Sequence, residues 1–254
     1  MMEELLPESV VVVESHGDDP AGDASLYPEE LAVLTRAVGK RRREFATVRV
    51  CARRAMEKLG VAPGPVLPGE RGAPQWPEGV IGSMTHCEGY GAAALARAGD
   101  LASLGIDAEP HLALPDDVLD VVALPGESDR LNRFGARVPA VHWDRLLFSA
   151  KESVYKAWFP LTGKWLDFSE ADIDISLDRI SLDRISLDRI FLDRAPVTDG
   201  LSGDLRAQLL VPGPVVDGLV VQTFTGRWTV RGGLVATAVT VPHTGPGPVP
   251  GSGA

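Results

Sequence analysis

Apolar positions along the chain follow two periods, and the switch between them marks out the elements. Four valines at residues 10–13 read as a buried strand. From Pro28 to Gly60 the spacing is helical, with Pro28 suited to a first turn and Gly60 to a C-terminal cap. Gly39 is a point at which this stretch divides into two helices. Residues 61–79, VAPGPVLPGERGAPQWPEG, carry too much proline and glycine for regular structure. Strands are predicted at 80–86, 90–97 and 101–109, then a helix-rich stretch from Pro115 to Phe159 that stops at Pro160. The remainder is β-rich, in the runs LRAQLLV, LVVQTF, RWTV and LVATAVTV.

Helix followed by strands, roughly twice over, predicts an α+β protein of two similar halves, residues 1–110 and 111–241. Residues 242–254, VPHTGPGPVPGSGA without its first valine, are predicted to be a disordered tail. Residues 175–194 repeat ISLDR three times and end in IFLDR. A period of five matches neither a helix face nor a strand face, and four copies are too few to build a solenoid core. The expectation is an extended hairpin or mobile loop inserted in the second half, with no function of its own.

Composition narrows the class without naming it. The chain has 254 residues and a formal charge of -10, which argues against an extended nucleic-acid surface. No apolar run is long enough for a transmembrane helix, and the N-terminus lacks the pattern of a signal peptide. Cys51 and Cys87 make neither a disulfide framework nor a zinc site, so a reduced, cytoplasmic setting is expected.

Candidate chemistry begins at LGIDAEP, residues 104–110. In a strand, Leu104, Ile106 and Ala108 share one face and Gly105, Asp107 and Glu109 the other. Two carboxylates then lie about 7 Å apart along one face. A third is supplied by the helix in HWDRLLFSAKESVYKAWFP, where Glu152 falls in a stripe with Phe148, Tyr155 and Phe159. Lys151 is in register with Leu147, Val154 and Trp158, and Lys156 stands four residues after Glu152. An ionised group in an apolar stripe needs a partner or a metal. Three carboxylates with no cysteine–histidine cluster suit Mg²⁺, and lysines beside them suit a polyphosphate; an ordinary helix pair of Glu152 with Lys156 is the plain alternative. In KRRREFATVRVCARRAMEKLG the apolar stripe is Phe45, Val48, Ala52 and Met56. Arg41 extends it and Arg49 flanks it, a phosphate cradle or a solvated basic face. Thr85 and His86 end a strand among glycines in GSMTHCEGYGA.

Taken together, GSMTH, GIDAEP and FSAKESVYKAW, with KRRREFATVR and GERGAPQWP upstream, resemble the 4′-phosphopantetheinyl transferases of the surfactin- and enterobactin-synthetase-activating type, the actinobacterial branch above all. The resemblance spans most of residues 30–241. It implies two pseudo-symmetric α+β halves with a coenzyme A cleft between them, and a monomer as a sufficient unit. It implies Asp107, Glu109 and Glu152 as Mg²⁺ ligands, and Thr85 and His86 at the 3′-phosphate. Arg41, Arg49 and Arg71 would hold phosphates, with Lys151 and Lys156 beside them and Lys156 nearest the pyrophosphate. Tyr155 and Trp165 would lie near the pantetheine arm. The implied reaction moves the 4′-phosphopantetheine arm to a serine of an apo acyl, aryl or peptidyl carrier protein. Glu152 and Lys156 are the implied catalytic pair. Two alternatives remain at this level: a Mg²⁺-dependent phosphohydrolase acting on coenzyme A, and a non-catalytic coenzyme A-binding protein.

Overall fold

The computed structural model describes residues 1–19, 22–34, 39–190 and 199–245. In chain order the elements are β1 (Val11–His16), α1 (Pro28–Val33), α2 (Gly39–Lys58), β2 (Val80–Cys87), β3 (Tyr90–Arg97) and β4 (Ser103–Pro110). Next come α3 (Val118–Val122), α4 (Pro125–Arg137), α5 (Trp143–Thr162), β5 (Ala171–Ile175) and α6 (Arg179–Ile190). The chain continues through β6 (Leu201–Leu209), β7 (Val215–Val216), β8 (Leu219–Val220), β9 (Thr223–Arg231) and β10 (Leu234–Val241).

The strands form a three-stranded sheet in the order β1-β3-β2 and a five-stranded sheet in the order β4-β10-β9-β6-β5. Neighbouring strands in both are antiparallel. Each sheet carries one twenty-residue helix, α2 on the first and α5 on the second. The alternation read in LGIDAEP is realised: Leu104, Ile106 and Ala108 pack with Ala92, Ala94 and Ala96 of β3 in a core shared by both sheets. The stripe of α2 is buried as its spacing predicts, with Ala52 and Met56 against Ala93 and Leu95. The largest core lies between α5 and the second sheet, where Trp228 is fully buried and edge-on to Trp143.

Where the two sheets meet, β2 and β4 share no hydrogen-bonded ladder. Instead, Ser83 Oγ accepts from Ile106 N at 3.1 Å and Thr85 Oγ1 accepts from Ala108 N at 3.0 Å. An edge strand's free amides need partners once buried, and these two hydroxyls serve. This seam also moves a boundary. β4 pairs with β10 and so belongs to the second sheet, whereas the periodicity assigned residues up to 110 to the first half.

Several boundaries differ from the pattern reading for physical reasons. Helix α5 runs past Pro160 to Thr162 and closes on Gly163 in the left-handed conformation, φ 63°, whose N–H reaches Phe159 O. Proline so near the C-terminus forfeits one helical bond without breaking the rest. LVVQTF and RWTV divide differently: Leu219–Val220 is β8 and β9 runs unbroken from Thr223 to Arg231, with Gln222 bonding Leu209 O, Val211 O and Gly213 N at the corner between them. The start of the expected tail is anchored, since His243 bonds Asp217 and Ala98 O. Its residues 246–254 lie outside the described residues.

The pentads do not form the expected loop. Ile175 of the first copy ends β5, and Asp178 begins α6 by accepting from Ser181 N through Oδ1 at 2.8 Å. Ser181 is buried, donating to Ser202 O and accepting from Ser202 N, and Ile185 packs on the main core. Successive copies on a helix are rotated by about 140°, so identical residues meet different surroundings. Tertiary contact with one face of the first turns is enough to settle the helix, which the period alone does not reveal. Residues 191–194, the end of the last pentad, lie outside the described residues.

Two predictions follow from this packing. Deleting Ile180–Arg184 puts Ser186 and Ile190 in the places of Ser181 and Ile185, so the thermal midpoint is expected to stay within scatter. Deleting Ile180–Arg189 puts Phe191 where Ser181 is buried and removes both bonds to Ser202. That variant should lose about 2 kcal/mol or more in a denaturant titration. A second test concerns Gly105, at which an added Cβ would stand 2.1 Å from Ser153 O and 2.7 Å from Ala157 N. Gly105→Ala must push α5 off β4, and the expected loss is about 1–3 kcal/mol or more by urea unfolding.

Candidate functional site

Within the stripe read as Phe148, Glu152, Tyr155 and Phe159, the first three are half-buried and Phe159 is buried, and the part from Glu152 onward is what opens outward. It faces a cleft of about 580 Å³ whose opposite wall comes from α2, the 71–76 turn and β2. Arg49, Arg71, His86, Glu152, Tyr155 and Lys156 all line it. A smaller cavity of about 270 Å³ continues past Arg71, Glu152 and Tyr155 to Trp165, Phe168 and Lys151. The two spaces therefore meet at the same three side chains.

On β4, Asp107 is almost fully buried, 4% exposed. Its Oδ1 accepts from Lys156 Nζ at 2.7 Å and from Thr85 Oγ1 at 3.3 Å, while Oδ2 is buried with no hydrogen-bond partner. A buried carboxylate oxygen left in this way is costly, and it suits a cation that the site would bind. Lys156 spends two of its three ammonium hydrogens on Asp107 and Ile106 O, leaving one for the cleft. Burial pushes the Glu152 carboxyl above the ordinary range, Lys156 opposes this and Asp107 adds to it. Glu109 is likewise raised, by burial and then by Asp107, with Arg145 and Lys156 opposing.

Glu109 forms an ion pair with Arg145, 3.0 Å from Oε2 to Nη1. Among the described residues, no group of three or more carboxylate, histidine or cysteine side chains is placed to hold a metal ion. The three implied carboxylates are not gathered into one set: Asp107 carries an oxygen with no partner, and Glu109 is held by Arg145. Mg²⁺ is commonly held through one or two carboxylates, with waters and substrate phosphate oxygens completing its shell, and the unpartnered Asp107 oxygen fits that use.

The cations form the opposite wall. Arg49 is buried, its Nε donating to Val66 O at 3.3 Å and its guanidinium lying 3.3 Å from the Phe45 ring centroid. Burial lowers its pKa to about 10, Glu30 opposing and Arg53 assisting. His86 is half-exposed, 3.6 Å from Glu44. Burial lowers its pKa, with Lys156, Arg41 and Arg49 contributing and Glu44 opposing. Arg41 is exposed and acts on His86 from outside the cleft lining. Arg71 holds φ +52°, a left-handed conformation unusual for a non-glycine residue, and lies 5.4 Å from the Trp165 ring. Trp165 is 54% exposed and tilted against Tyr155 at 4.9 Å. Strained backbone of this kind concentrates at ligand sites.

Two residues proposed as ligand contacts have other engagements. Thr85 is buried and its hydroxyl is committed to Ala108 N and Asp107. Lys151 is buried, paired with Glu127 at 2.8 Å and donating to Phe168 O and Ala171 O. Glu127 in turn accepts from Leu124 N and Ile173 N, both at 2.7 Å. Lys151 thus ties α5 to α4 and β5, and only its flank reaches the smaller cavity. The sequence reading did not single out Glu127, Arg145, Glu30 or the hydroxyls of Ser83 and Ser103. Glu127, three residues after Leu124 and behind Pro125, carries a helix-start signature, but nothing local names Lys151 as its partner.

A carboxylate floor under a wall of arginine, lysine and histidine, in a protein of charge -10, defines a site for an anionic, phosphate-bearing ligand. Comparison with known proteins gives the family. The 4′-phosphopantetheinyl transferase N-terminal domain matches residues 28–96, and the 4′-phosphopantetheinyl transferase superfamily matches residues 103–204. The gap between the two matches falls between β3 and β4, where the chain passes from one sheet to the other. The chain is 53% identical over 242 residues to 4′-phosphopantetheinyl transferase Svp of Streptomyces mobaraensis, covering 95% of this chain and 89% of that protein. It is 44% identical over 221 residues to 4′-phosphopantetheinyl transferase PptT of Mycobacterium tuberculosis, covering 87% and 88%. Enterobactin synthase component D of Escherichia coli is more distant, 32% identical over 134 residues and covering 52% and 62%. The chain belongs to the 4′-phosphopantetheinyl transferase superfamily and is an enzyme of that class. Among the described residues no helix is long and apolar enough to cross a membrane.

The buried pair gives a stability test. Lys151→Met leaves the Glu127 charge uncompensated and should cost about 3–5 kcal/mol by urea unfolding. Adding Glu127→Gln to Lys151→Met should recover part of that loss, because the stranded charge is gone.

Proposed function

We propose that the cleft binds coenzyme A and that the protein transfers its 4′-phosphopantetheine arm to a serine of an apo acyl, aryl or peptidyl carrier protein, releasing 3′,5′-adenosine bisphosphate. The observation that carries this reading is Asp107, whose Oδ1 accepts from Lys156 while its buried Oδ2 has no partner, behind a cleft that Lys156 and Glu152 line. His86, Arg49 and Arg71 are the residues for the phosphates, with Arg41 acting on His86 from outside. The smaller cavity between Tyr155 and Trp165 is the place for the pantetheine arm. Thr85 and Lys151 support the site by bracing Asp107 and α5.

Asp107 and Glu152, with Glu109, are the residues that would hold Mg²⁺. When bound, that ion neutralises charge on the pyrophosphate. The carrier serine oxygen forms a bond to the β-phosphorus as the bond from that phosphorus to the bridging oxygen breaks. Glu152 takes the serine proton, and its raised pKa makes it a better acceptor than an exposed carboxylate. The third ammonium hydrogen of Lys156 serves the departing oxygen. Phosphoryl transfer of this kind depends on positioning and charge neutralisation more than on covalent chemistry. One rigid helix places both Glu152 and Lys156 for this. A protein of net charge -10 would meet its carriers through local apolar or basic surface, and one chain supplies all the residues named, so a monomer suffices. A reduced, cytoplasmic setting is consistent with two unpaired cysteines.

Intact-mass analysis of apo carrier proteins with coenzyme A and Mg²⁺ tests the reaction. A gain of about 340 Da on the carrier is expected, the formula mass of the transferred arm. Release of phosphopantetheine without a change in the carrier would make the protein a phosphohydrolase instead. Lys156→Ala should lower kcat by more than it raises KM for coenzyme A, as expected for a contact that strengthens in the transition state. Glu152→Ala should reduce transfer to background while leaving the fold intact, and near-normal turnover would remove it from the site.

A further inference from the structure

Arg49 is a buried cation with most of its donors still free. The residue is 7% exposed, and its guanidinium lies over the Phe45 ring. Its Nε donates to Val66 O at 3.3 Å, and among the described residues Nη1 and Nη2 have no hydrogen-bond partner. Neither amino nitrogen is sealed from solvent, and the open space that Arg49 borders is the cleft. The direction of the guanidinium therefore depends on Phe45 and on the Val66 carbonyl.

Val66 is fully buried, yet residues 61–67 form neither helix nor strand, so no ladder fixes its peptide. Its N–H donates instead to Glu30 Oε1 at 2.9 Å. Glu30, on α1, is fully buried. Its carboxylate also accepts from Tyr27 N at 3.0 Å and from Arg53 Nη1 at 3.1 and 3.0 Å. Arg53 stands one turn after Arg49 on α2, and two cations at that spacing repel. Glu30 thus acts on Arg49 twice. It holds the peptide whose carbonyl meets Nε, and it neutralises the neighbouring cation.

We propose that Glu30 is a positioning residue for ligand binding in the cleft: through the Val66 peptide it fixes Arg49, and with its charge it offsets Arg53, so that Arg49 offers its free amino groups to a phosphate-bearing ligand. This rests on the reading of the cleft as the coenzyme A site, and the test separates the two.

The test is steady-state kinetics of the full chain with an apo carrier protein, with coenzyme A binding followed by isothermal titration calorimetry. Arg49→Gln should weaken coenzyme A binding about tenfold or more, the scale of a hydrogen bond to a charged group. Glu30→Gln should weaken it about fivefold and raise KM for coenzyme A by more than it lowers kcat. This variant also strands Arg53, so its thermal midpoint falls. Loss of folded enzyme lowers the apparent kcat and leaves KM where it was, so a KM shift separates positioning from stability alone. In the Arg49→Gln background, Glu30→Gln should add less than about a twofold change, because its effect passes through Arg49. If Glu30→Gln does not fold, Glu30→Gln with Arg53→Met, which removes both buried charges, takes its place in the same comparison. Unchanged KM and affinity in Glu30→Gln, where Arg49→Gln is impaired, would make Glu30 a structural carboxylate only and overturn the proposal. Equal losses in both Arg49 backgrounds would do the same. A silent Arg49→Gln would remove Arg49 from the coenzyme A site and end the underlying reading of that residue together with the inference.

Discussion

The close approach of α5 onto β4 and β10 governs the rest. Gly105 offers no side chain at the crossing, so the helix backbone at Ser153 and Ala157 lies directly on the strand. Short hydroxyls do the joining. Ser149 and Ser153 both contact Thr237 Oγ1, at 2.9 and 2.7 Å, and Ser103 Oγ donates to Ala157 O at 2.7 Å. All four residues are buried, and their hydrogen bonds to one another and to backbone satisfy groups that would otherwise be stranded. Thr237 lies directly across the ladder from Asp107. The contact that fixes the helix is thus one strand away from the carboxylate that the helix serves, and Lys156 reaches Asp107 only because the backbones are so close.

Charge is organised around the same contact. Buried charges are paired before they reach the cleft: Glu30 with Arg53, and Glu127 with Lys151. Glu30 also accepts from Val66 N, and Val66 O holds Arg49, so a pair well outside the cleft sets the direction of a cleft arginine. Among the described residues, what remains unsatisfied is concentrated at the site itself, in the Asp107 oxygen and the third hydrogen of Lys156. Binding surface in an acidic protein is made here by local bookkeeping of partners, not by net charge.

Much of the fold was legible because burial follows period. The β4 alternation, the α2 stripe and the cleft-facing stripe of α5 each depend on which residues repeat every two or every three to four positions. Glu152 was singled out for a related reason, since an ionised group on an apolar face requires a partner, and Asp107 because it shares a strand face with a second carboxylate. The pentads were not, because five residues match no period and their helix is held by contact with Ser202 and the main core. The membership of β4 was not legible either, since a strand's own pattern does not say which neighbour it pairs with.

The sequence by itself determined most of the elements, their buried faces and the family to which the chain belongs, because these depend on residue types at fixed local spacing. Tertiary structure alone decided which charges are spent and which are free. Lys151 and Lys156 look alike along the helix, yet one is buried against Glu127 and the other opens on the cleft. Thr85 and Arg145 became braces for Asp107 and Glu109 because β2 and the start of α5 come to lie beside β4. A hydrogen bond is a matter of a few ångströms and a direction, and residues far apart in the chain acquire both only when the fold brings them together.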